Sequence, residues 1–369
     1  MRLLVAAGEP SGDLHGARVV AELRRRFPTA EIEAIGGPKM AAAGASLRGS
    51  IEQLSAIGLV EIIAKIPAHW RIERTLVRDF RAHRYDLVVL IDYPGFHAHV
   101  ARRARAFGIP VLWYIAPQYW GWWPARARRF RGLVDHLAVI LPFEAEFFRR
   151  AGVPDTTFVG HPLLDAEAPP TREEARAALG VPTEARVLAV FPGSRRGEVA
   201  ALWPRMRAAA QRLLDEGACD AVMVAATAWG AYPDADRLQV VRDDPARVLA
   251  AADAVIAKSG TTTLQAAIAG VPMVVAYMIN ALTARLVRPM VTSRWFALPN
   301  LVAEREIVPE LLQGQLTVDA LVAAVRPLLD HQSAAAVAQR AGLLEVCRRL
   351  GGPGASARVA ALAGEILTA

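Results

Sequence analysis

Short apolar runs rich in β-branched residues alternate along this chain with amphipathic stretches, and the alternation constrains the fold more than any other feature. In the first half, the predicted strands are Leu3–Ala7, Glu31–Ile35, Leu87–Asp92, Val111–Ile115 and Leu137–Leu141. The amphipathic stretches between them include Leu14–Phe27, Pro67–Arg81 and Phe96–Phe107. Strands that alternate with helices indicate a parallel sheet wrapped by helices.

The pattern pauses after residue 162, in a segment that mixes proline, alanine and charged residues, and then restarts. The predicted strands of the second half are Arg186–Phe191, Ala221–Ala225, Ala254–Ala257 and Met273–Tyr277. A chain of 369 residues fits two domains of ordinary size. The sequence therefore predicts an α/β protein with two doubly wound, Rossmann-like domains, residues 1–165 and 166–345, that face a cleft. A helical tail over 346–369 could pack back on the first domain.

Positive charge is concentrated in the first half, where residues 1–165 carry 22 Lys+Arg against 16 Asp+Glu and so hold +6 of the net +7. This excess indicates an anionic partner such as a phospholipid or a phosphorylated substrate. Because no zinc-finger spacing or aromatic RNA-binding motif accompanies it, we expect no nucleic-acid partner. No apolar run reaches the roughly 18 residues of a membrane span, and no signal peptide is evident, so we expect a cytoplasmic protein.

Two loops of the second half are suited to binding phosphate. The first, with Ser259, Gly260 and Thr261, joins a predicted strand to a helix, and the free N–H groups of a helix N-terminus favour an anion. The other contains Gly193, Ser194 and Arg195 in the same setting, and Arg195 could neutralise a diphosphate. Ordinary helix capping and a solvated arginine are the alternatives. Together the two loops favour a bound nucleotide diphosphate.

Two strand ends of the first half carry carboxylates. The glycine-rich loop after the first strand contains Glu9, Ser11 and Gly12. Its glycines would allow an acceptor to approach closely, and Ser11 and Gly12 are the candidate acceptor-binding residues. It lacks the G-x-G-x-x-G spacing of a dinucleotide site. Asp92 ends an apolar strand, where partial burial would raise its pKa toward that of a general base. A helix-capping role is an equally good interpretation of Asp92 from this fragment alone.

Two apolar stretches could contact a membrane. One window, 113–124, holds four of the eight tryptophans and leads into Arg126, Arg128, Arg129 and Arg131, a combination that suits a lipid interface as well as a core. The other stretch supplies five candidate membrane-contacting side chains: Val60, Ile62, Ile63, Ile66 and Trp70. The D-x-D pattern at 234–236 is short and lies in a polar loop, so we expect no metal and no other cofactor.

An ordered set of motifs closely resembles the lipid-A-disaccharide synthases, which are inverting glycosyltransferases of GT-B fold. The motifs that carry the resemblance are AGEPSGDLHGA, IGGPKM, IGLVEII, LIDYPGF, YIAPQYWGW, LPFE, FVGHPLLD, PGSRRGEV, KSGTTTLQAA, GVPMVVAY and LPNLVAEREIVPELLQ. The resemblance implies UDP-2,3-diacylglucosamine as donor and 2,3-diacylglucosamine 1-phosphate (lipid X) as acceptor. It also implies a cytoplasmic protein peripheral to the inner membrane. A homodimer is compatible with it.

The resemblance assigns expected roles to individual residues. Asp92 is expected to be the catalytic base, with Glu9 beside it on the acceptor side. Arg195 and the backbone at 259–261 are expected to bind the diphosphate, and Asn300 to contact the donor.

Two positions depart from the family pattern. Gln265 stands where the family often has a glutamate suited to the ribose hydroxyls, and Gly95 stands where a second acidic residue is frequent. The sequence is compatible with two other functions. One is a UDP-N-acetylglucosamine 2-epimerase or a glycosyltransferase of peptidoglycan precursors, and the other is a non-catalytic nucleotide- or lipid-binding protein.

Overall fold

The computed structural model describes residues 1–368 except 55–58, 228–229, 236, 281–284 and 286–289. Residues 59–64 are described as helix backbone only. Asp236 and the side chains of Val60, Ile62 and Ile63 therefore lie outside the described residues. The chain divides into two compact units, the first formed by Met1–Asp165 with Leu350–Ala369 and the second by Ala166–Arg349.

The first unit contains a seven-stranded parallel sheet in the order β3-β2-β1-β4-β5-β6-β7. Its strands are β1 (Arg2–Ala7), β2 (Glu31–Gly36), β3 (Ser46–Ser50), β4 (Leu87–Ile91), β5 (Val111–Tyr114), β6 (His136–Val139) and β7 (Thr156–Phe158). The helices between them are α1 (Pro10–Arg26), α2 (Pro38–Ala42), α3 (Leu59–Arg81), α4 (Pro94–Ala106) and α5 (Pro142–Arg150). Short 3₁₀ helices span Ile51–Gln53, Pro124–Phe130 and Pro162–Asp165.

The second unit contains a six-stranded parallel sheet in the order β10-β9-β8-β11-β12-β13. Its strands are β8 (Val187–Phe191), β9 (Ala221–Ala226), β10 (Gln239–Arg242), β11 (Ala254–Lys258), β12 (Met273–Tyr277) and β13 (Glu310–Leu312). The helices are α6 (Arg172–Leu179), α7 (Arg196–Asp215), α8 (Pro245–Ala251), α9 (Thr261–Ile268), α10 (Leu298–Ala303), α11 (Val318–Val325) and α12 (Ala334–Arg349). Gln313–Gln315 and Arg326–Leu329 form 3₁₀ helices.

The central strands are apolar throughout because helices cover both faces of each sheet. Every residue of β4 and of β8 is buried. In the first unit, alternate residues of β4 join core clusters on opposite faces, with Val88 and Leu90 in one cluster and Leu87, Val89 and Ile91 in the other. Burial on both faces removes the alternation of polar and apolar residues that a half-exposed strand would show.

Both sheets reverse their strand order at one place, between β1 and β4 in the first unit and between β8 and β11 in the second. Ala7 lies level with Ile91 in the first sheet, and Phe191 lies level with Ala257 in the second. The loops that follow these strands therefore begin side by side. In doubly wound sheets, such a switch point is where ligands bind.

The C-terminal segment is held to the first unit by Asp165. The Asp165 carboxylate accepts hydrogen bonds from the backbone N–H groups of Gly354 (2.6 Å), Ala355 (3.1 Å) and Ser356 (3.0 Å), at the start of α13 (Ala355–Thr368). These N–H groups hold the pKa of Asp165 below its usual value against the opposing effect of burial. Apolar residues of α13 complete one core cluster of the first unit: Val359, Ala360, Leu362 and Ala363.

Among the helices of the described residues, we found none whose length and apolar content would let it cross a bilayer.

Candidate active site

Asp92 occupies a strained turn directly after β4. Its φ is +48° and that of Tyr93 is +52°, both in the left-handed region that side chains rarely adopt. The Asp92 N–H donates to the Tyr114 carbonyl at 2.9 Å, and its own carbonyl lies 2.7 Å from Nδ1 of the buried His97. Backbone strain of this kind costs about 1–3 kcal/mol per residue and often accompanies function.

The protonation of Asp92 suits a base that works near neutral pH. Burial raises the pKa of its carboxyl to about 6, the Tyr93 backbone N–H opposes the shift, and the nearby negative charge of Glu9 raises it further. Glu9 precedes α1 in extended conformation, and its side chain is exposed. The structure thus brings the carboxylates of Glu9 and Asp92 close enough for the charge of one to raise the pKa of the other.

The glycines of the first loop are required by contacts within the protein. A Cβ at Gly8 would lie 2.2 Å from the ring of Tyr93, and one at Gly12 would lie 3.1 Å from the Cβ of Ala7. Gly12 is buried, and the group that approaches it closely is Ala7 of β1. Ser11 is exposed, and its contact with an acceptor stays a prediction. Asp13, in the first turn of α1, accepts the N–H of Gly37 at 2.7 Å and so caps α2.

A cavity of about 610 Å³ opens beside Asp92 within the first unit. Its volume lies in the usual range for small-molecule sites. Its charged lining residues are Asp92, Arg102, Arg126 and Arg129, and Gly95 leaves open space where a side chain would stand. Sequence reasoning placed the aromatic-basic segment either at a membrane or in the core, and it did not identify this cavity.

Glu144 is a buried carboxyl that supports the wall of this cavity. It accepts hydrogen bonds from Trp120 Nε1 (2.9 Å), from the Leu141 N–H (3.0 Å) and from the Ile140 N–H (3.2 Å). Burial raises its pKa to about 7, these three donors lower it, and the charge of Asp92 raises it. Trp120 follows Tyr119, which lines the cavity. Through its hydrogen bond to Trp120, Glu144 therefore holds the aromatic segment in place. Its sequence signal is the LPFE motif, from which the resemblance implies no role for Glu144.

In the second unit, the two loops suited to phosphate are joined by an ion pair. Glu198 accepts the N–H groups of Ser194 (3.2 Å) and Arg195 (3.3 Å), and its other oxygen lies 2.9 Å from Lys258 Nζ. Gly193 has φ +118°, and a Cβ there would lie 2.8 Å from the Glu198 carboxylate. The carboxylate thus occupies backbone N–H groups that an anion would use. Sequence reasoning missed both Glu198 and Lys258.

Arg195 precedes α7, and 80% of its side-chain surface is exposed. In the neighbouring loop, the Ser259 hydroxyl donates to the Phe296 carbonyl at 2.6 Å, while Thr261 begins α9 and is exposed. Gln265 is exposed one turn further along the same helix. The arrangement leaves Arg195, Thr261 and Gln265 accessible to a ligand.

Asn300 is engaged in hydrogen bonds within the protein, and its expected contact with the donor stays a prediction. It is 0% exposed. Its amide nitrogen donates to the Val308 carbonyl (2.9 Å) and to Glu310 Oε1 (2.8 Å), and its oxygen accepts the N–H groups of Ile307 (2.6 Å) and Val308 (2.9 Å). All four hydrogen-bonding positions of the amide are therefore filled. Glu310 in turn accepts the Phe296 N–H at 2.9 Å, which fixes the backbone that Ser259 contacts.

Comparison with known proteins decides the family. The family model described as lipid-A-disaccharide synthetase matches residues 3–348. The lipid-A-disaccharide synthase of Geobacter metallireducens is 39% identical over 377 residues, which cover 99% of this chain and 97% of that protein. The one from an Anaeromyxobacter species is 40% identical over 368 residues, which cover 97% and 96%. The chain belongs to the lipid-A-disaccharide synthase family. The resemblance found in the sequence is confirmed, and with it a glycosyltransferase that uses a UDP-sugar and a lipid acceptor.

Solved structures confirm the predicted GT-B fold class. A putative UDP-N-acetylglucosamine 2-epimerase from Listeria monocytogenes matches with a TM-score of 0.67 at 12% identity, over 99% of this chain and 96% of that one. MurG from Acinetobacter baumannii matches with a TM-score of 0.59 at 15% identity, over 99% of both chains. At these identities the likeness concerns the fold alone.

Proposed function

We propose that this member of the lipid-A-disaccharide synthase family transfers 2,3-diacylglucosamine from UDP to the 6-hydroxyl of 2,3-diacylglucosamine 1-phosphate, with inversion. The products are a β-1,6-linked disaccharide 1-phosphate and UDP. The observation that carries the proposal is Asp92, a partly buried carboxylate at the switch point of the first sheet, beside a cavity of substrate size.

The reaction needs one proton acceptor on the acceptor side. In the proposed step, the Asp92 carboxylate takes the proton of the 6-hydroxyl as that oxygen forms a bond to the anomeric carbon of the donor. The bond between this carbon and the diphosphate oxygen breaks, and its electron pair leaves with UDP. A base whose pKa is about 6 is ionised at neutral pH and strong enough to assist. Glu9 keeps the region negative and so raises the basicity of Asp92.

The second unit is proposed to hold the leaving group. The exposed Arg195 and the backbone at Ser194 and 259–261 lie on the two loops at the switch point of that sheet. Cationic and N–H groups placed there stabilise the charge that develops on the diphosphate. Glu198 already accepts hydrogen bonds from the Ser194 and Arg195 N–H groups, so these two bonds must break if the diphosphate binds there. Gln265 is proposed to contact the ribose, one helical turn along from Thr261.

We also propose that the protein works at the cytoplasmic face of the inner membrane, because its acylated substrates remain in a bilayer. Ile66 and Trp70 are 42% and 62% exposed on consecutive turns of α3. Trp122 and Trp123 are also exposed, and Arg126 packs over the Trp123 ring at 4.1 Å. Exposed aromatic and aliphatic residues beside arginines suit a lipid interface.

The test is to incubate the purified protein with the UDP-diacylglucosamine donor and lipid X and to follow the disaccharide 1-phosphate by mass spectrometry. We expect equal formation of disaccharide and UDP, with and without a chelator. Conversion of soluble UDP-N-acetylglucosamine without any lipid would instead support an epimerase. Nucleotide binding without turnover of either substrate would support a binding protein.

A further inference from the structure

The cavity beside Asp92 is strongly basic. Arg102 comes from α4, whereas Arg126 and Arg129 come from the 3₁₀ helix Pro124–Phe130, and all three line the same space. Asp92 is the single carboxylate among the residues that line it. The electrostatic balance of this cavity therefore favours an anionic ligand.

These arginines have no carboxylate partners among the residues that the structure describes. Two arginines of α4 do: Arg103 contacts Glu73 at 3.1 Å, and Arg105 pairs with Asp135. Arg126 is held by its aromatic neighbours, with its guanidinium 4.1 Å from the Trp123 ring centre. Its Nε is buried and lacks a hydrogen-bond acceptor within the described part of the chain. A buried donor without an acceptor is costly, and a ligand oxygen would satisfy it.

Backbone strain is concentrated around the same cavity. Asp92 and Ile115 line it with φ of +48° and +65°, and Tyr93 and Trp123, adjacent to lining residues, have φ of +52° and +60°. Ile115 is the least favourable of these, since a β-branched side chain resists the left-handed region. Strain that the surrounding fold maintains at several points of one cavity is typical of a ligand site.

We propose that Arg102, Arg126 and Arg129 bind the 1-phosphate of the acceptor and so orient its 6-hydroxyl toward Asp92. The inference rests on the proposed function. A phosphate monoester carries nearly two negative charges at neutral pH and has three acceptor oxygens, which matches several guanidinium groups. The phosphate-bearing carbon and the carbon that bears the 6-hydroxyl branch lie on either side of the ring oxygen, so one cavity can hold both ends of the headgroup. The three arginines thereby make the enzyme select a phosphorylated acceptor.

The double variant Arg102→Gln/Arg129→Gln tests the assignment, because both side chains are exposed and neither has an ion-pair partner among the described residues. Lipid X and its dephosphorylated form, 2,3-diacylglucosamine, are compared as acceptors in neutral detergent micelles. We expect KM for lipid X to rise at least about tenfold, KM for the donor to stay unchanged, and the preference of the wild-type protein for lipid X to disappear. Arg128→Gln is the matched control, since Arg128 lies on the same 3₁₀ helix, is exposed and does not line the cavity.

Three results would overturn the assignment. The first is a double variant with the KM of the Arg128→Gln control for lipid X. The second is an equal loss of turnover with lipid X and with its dephosphorylated form. The third is a defect that appears only when anionic phospholipid is added to the micelles, which would assign the arginines to a membrane headgroup. If the wild-type protein forms no disaccharide at all, the proposed function fails first, so the two failures are distinguishable. Circular dichroism and thermal unfolding confirm that each variant is folded.

Discussion

Asp92 links the local geometry of one turn to the rate of the proposed reaction. Its pKa is raised to about 6, so the carboxyl is protonated and inactive as a base below that pH and ionised above it. We expect kcat/KM to rise tenfold per pH unit up to about pH 6 and to level off above it. A rate profile from pH 4.5 to 8 measures this, and an acidic limb centred near pH 4 would contradict the assignment.

Asp92→Asn removes the proton acceptor while keeping the size of the side chain. We expect turnover to fall by about 10²-fold or more and the acidic limb to disappear, with UDP affinity unchanged. The comparison requires steady-state kinetics and calorimetric titration with UDP. Wild-type kinetics in this variant would remove Asp92 from the role of base.

Arg195→Ala tests the diphosphate loop of the second unit. The side chain is 80% exposed, so its removal leaves the core intact. We expect the Kd for UDP to increase about tenfold or more, because a charge-assisted hydrogen bond to the diphosphate is lost. Arg207→Ala, within the helix that Arg195 precedes, is the control and should bind UDP as the wild type does. Unchanged calorimetric affinity in Arg195→Ala would argue against the loop.

The functional residues that the sequence could predict are those recognisable from their residue type and their position after a strand or a glycine. Asp92 follows an apolar strand and Arg195 follows a glycine, and both patterns were recognisable. Glu198 and Lys258 were not, because their ion pair joins residues 60 positions apart and depends on β8 lying next to β11. The hydrogen bonds of the Asn300 amide were not recognisable either, because a family position does not reveal which backbone groups the fold brings to it.

At the scale of elements, the central strands were predicted and the edge strands were missed. The four missed strands, β3, β7, β10 and β13, are the outermost strands of the two sheets. They are short, and none is buried throughout, so they lack the continuous apolar runs that identified the others. An edge strand is stabilised by pairing on one side only, and its sequence is correspondingly less constrained.

One carboxylate, that of Asp165, caps the N-terminus of α13, and the substitution Asp165→Ala removes this cap. Three backbone N–H groups would lose their acceptor, and we expect the free energy of unfolding of the first unit to fall by about 1–2 kcal/mol. Asp155→Ala is the control, since its exposed side chain makes no such contacts among the described residues. Urea unfolding followed by circular dichroism measures both. Equal stability of the two variants would show that the cap contributes little.

In the proposed function, the whole molecule must reach substrates that stay in a bilayer, and α3 offers exposed side chains for this. Ile66→Asp/Trp70→Asp places two charges on that surface without disturbing the core. We expect sedimentation with anionic vesicles to weaken at least about tenfold, while turnover of detergent-dispersed substrates is retained. Leu344→Asp changes an exposed leucine of the second unit and should leave vesicle binding intact. Equal vesicle binding by both variants would place the membrane contact elsewhere.

The sequence by itself determined the α/β class, the central strands and the loops at their ends, because each of these depends on neighbouring residues and on periodic burial. Its ordered motifs also determined the family. The tertiary structure alone decided which loops stand together, since adjacency at a switch point follows from strand order, which periodicity does not encode. It alone also gathered Arg102, Arg126 and Arg129 around Asp92, because a cavity is formed by side chains from separate elements.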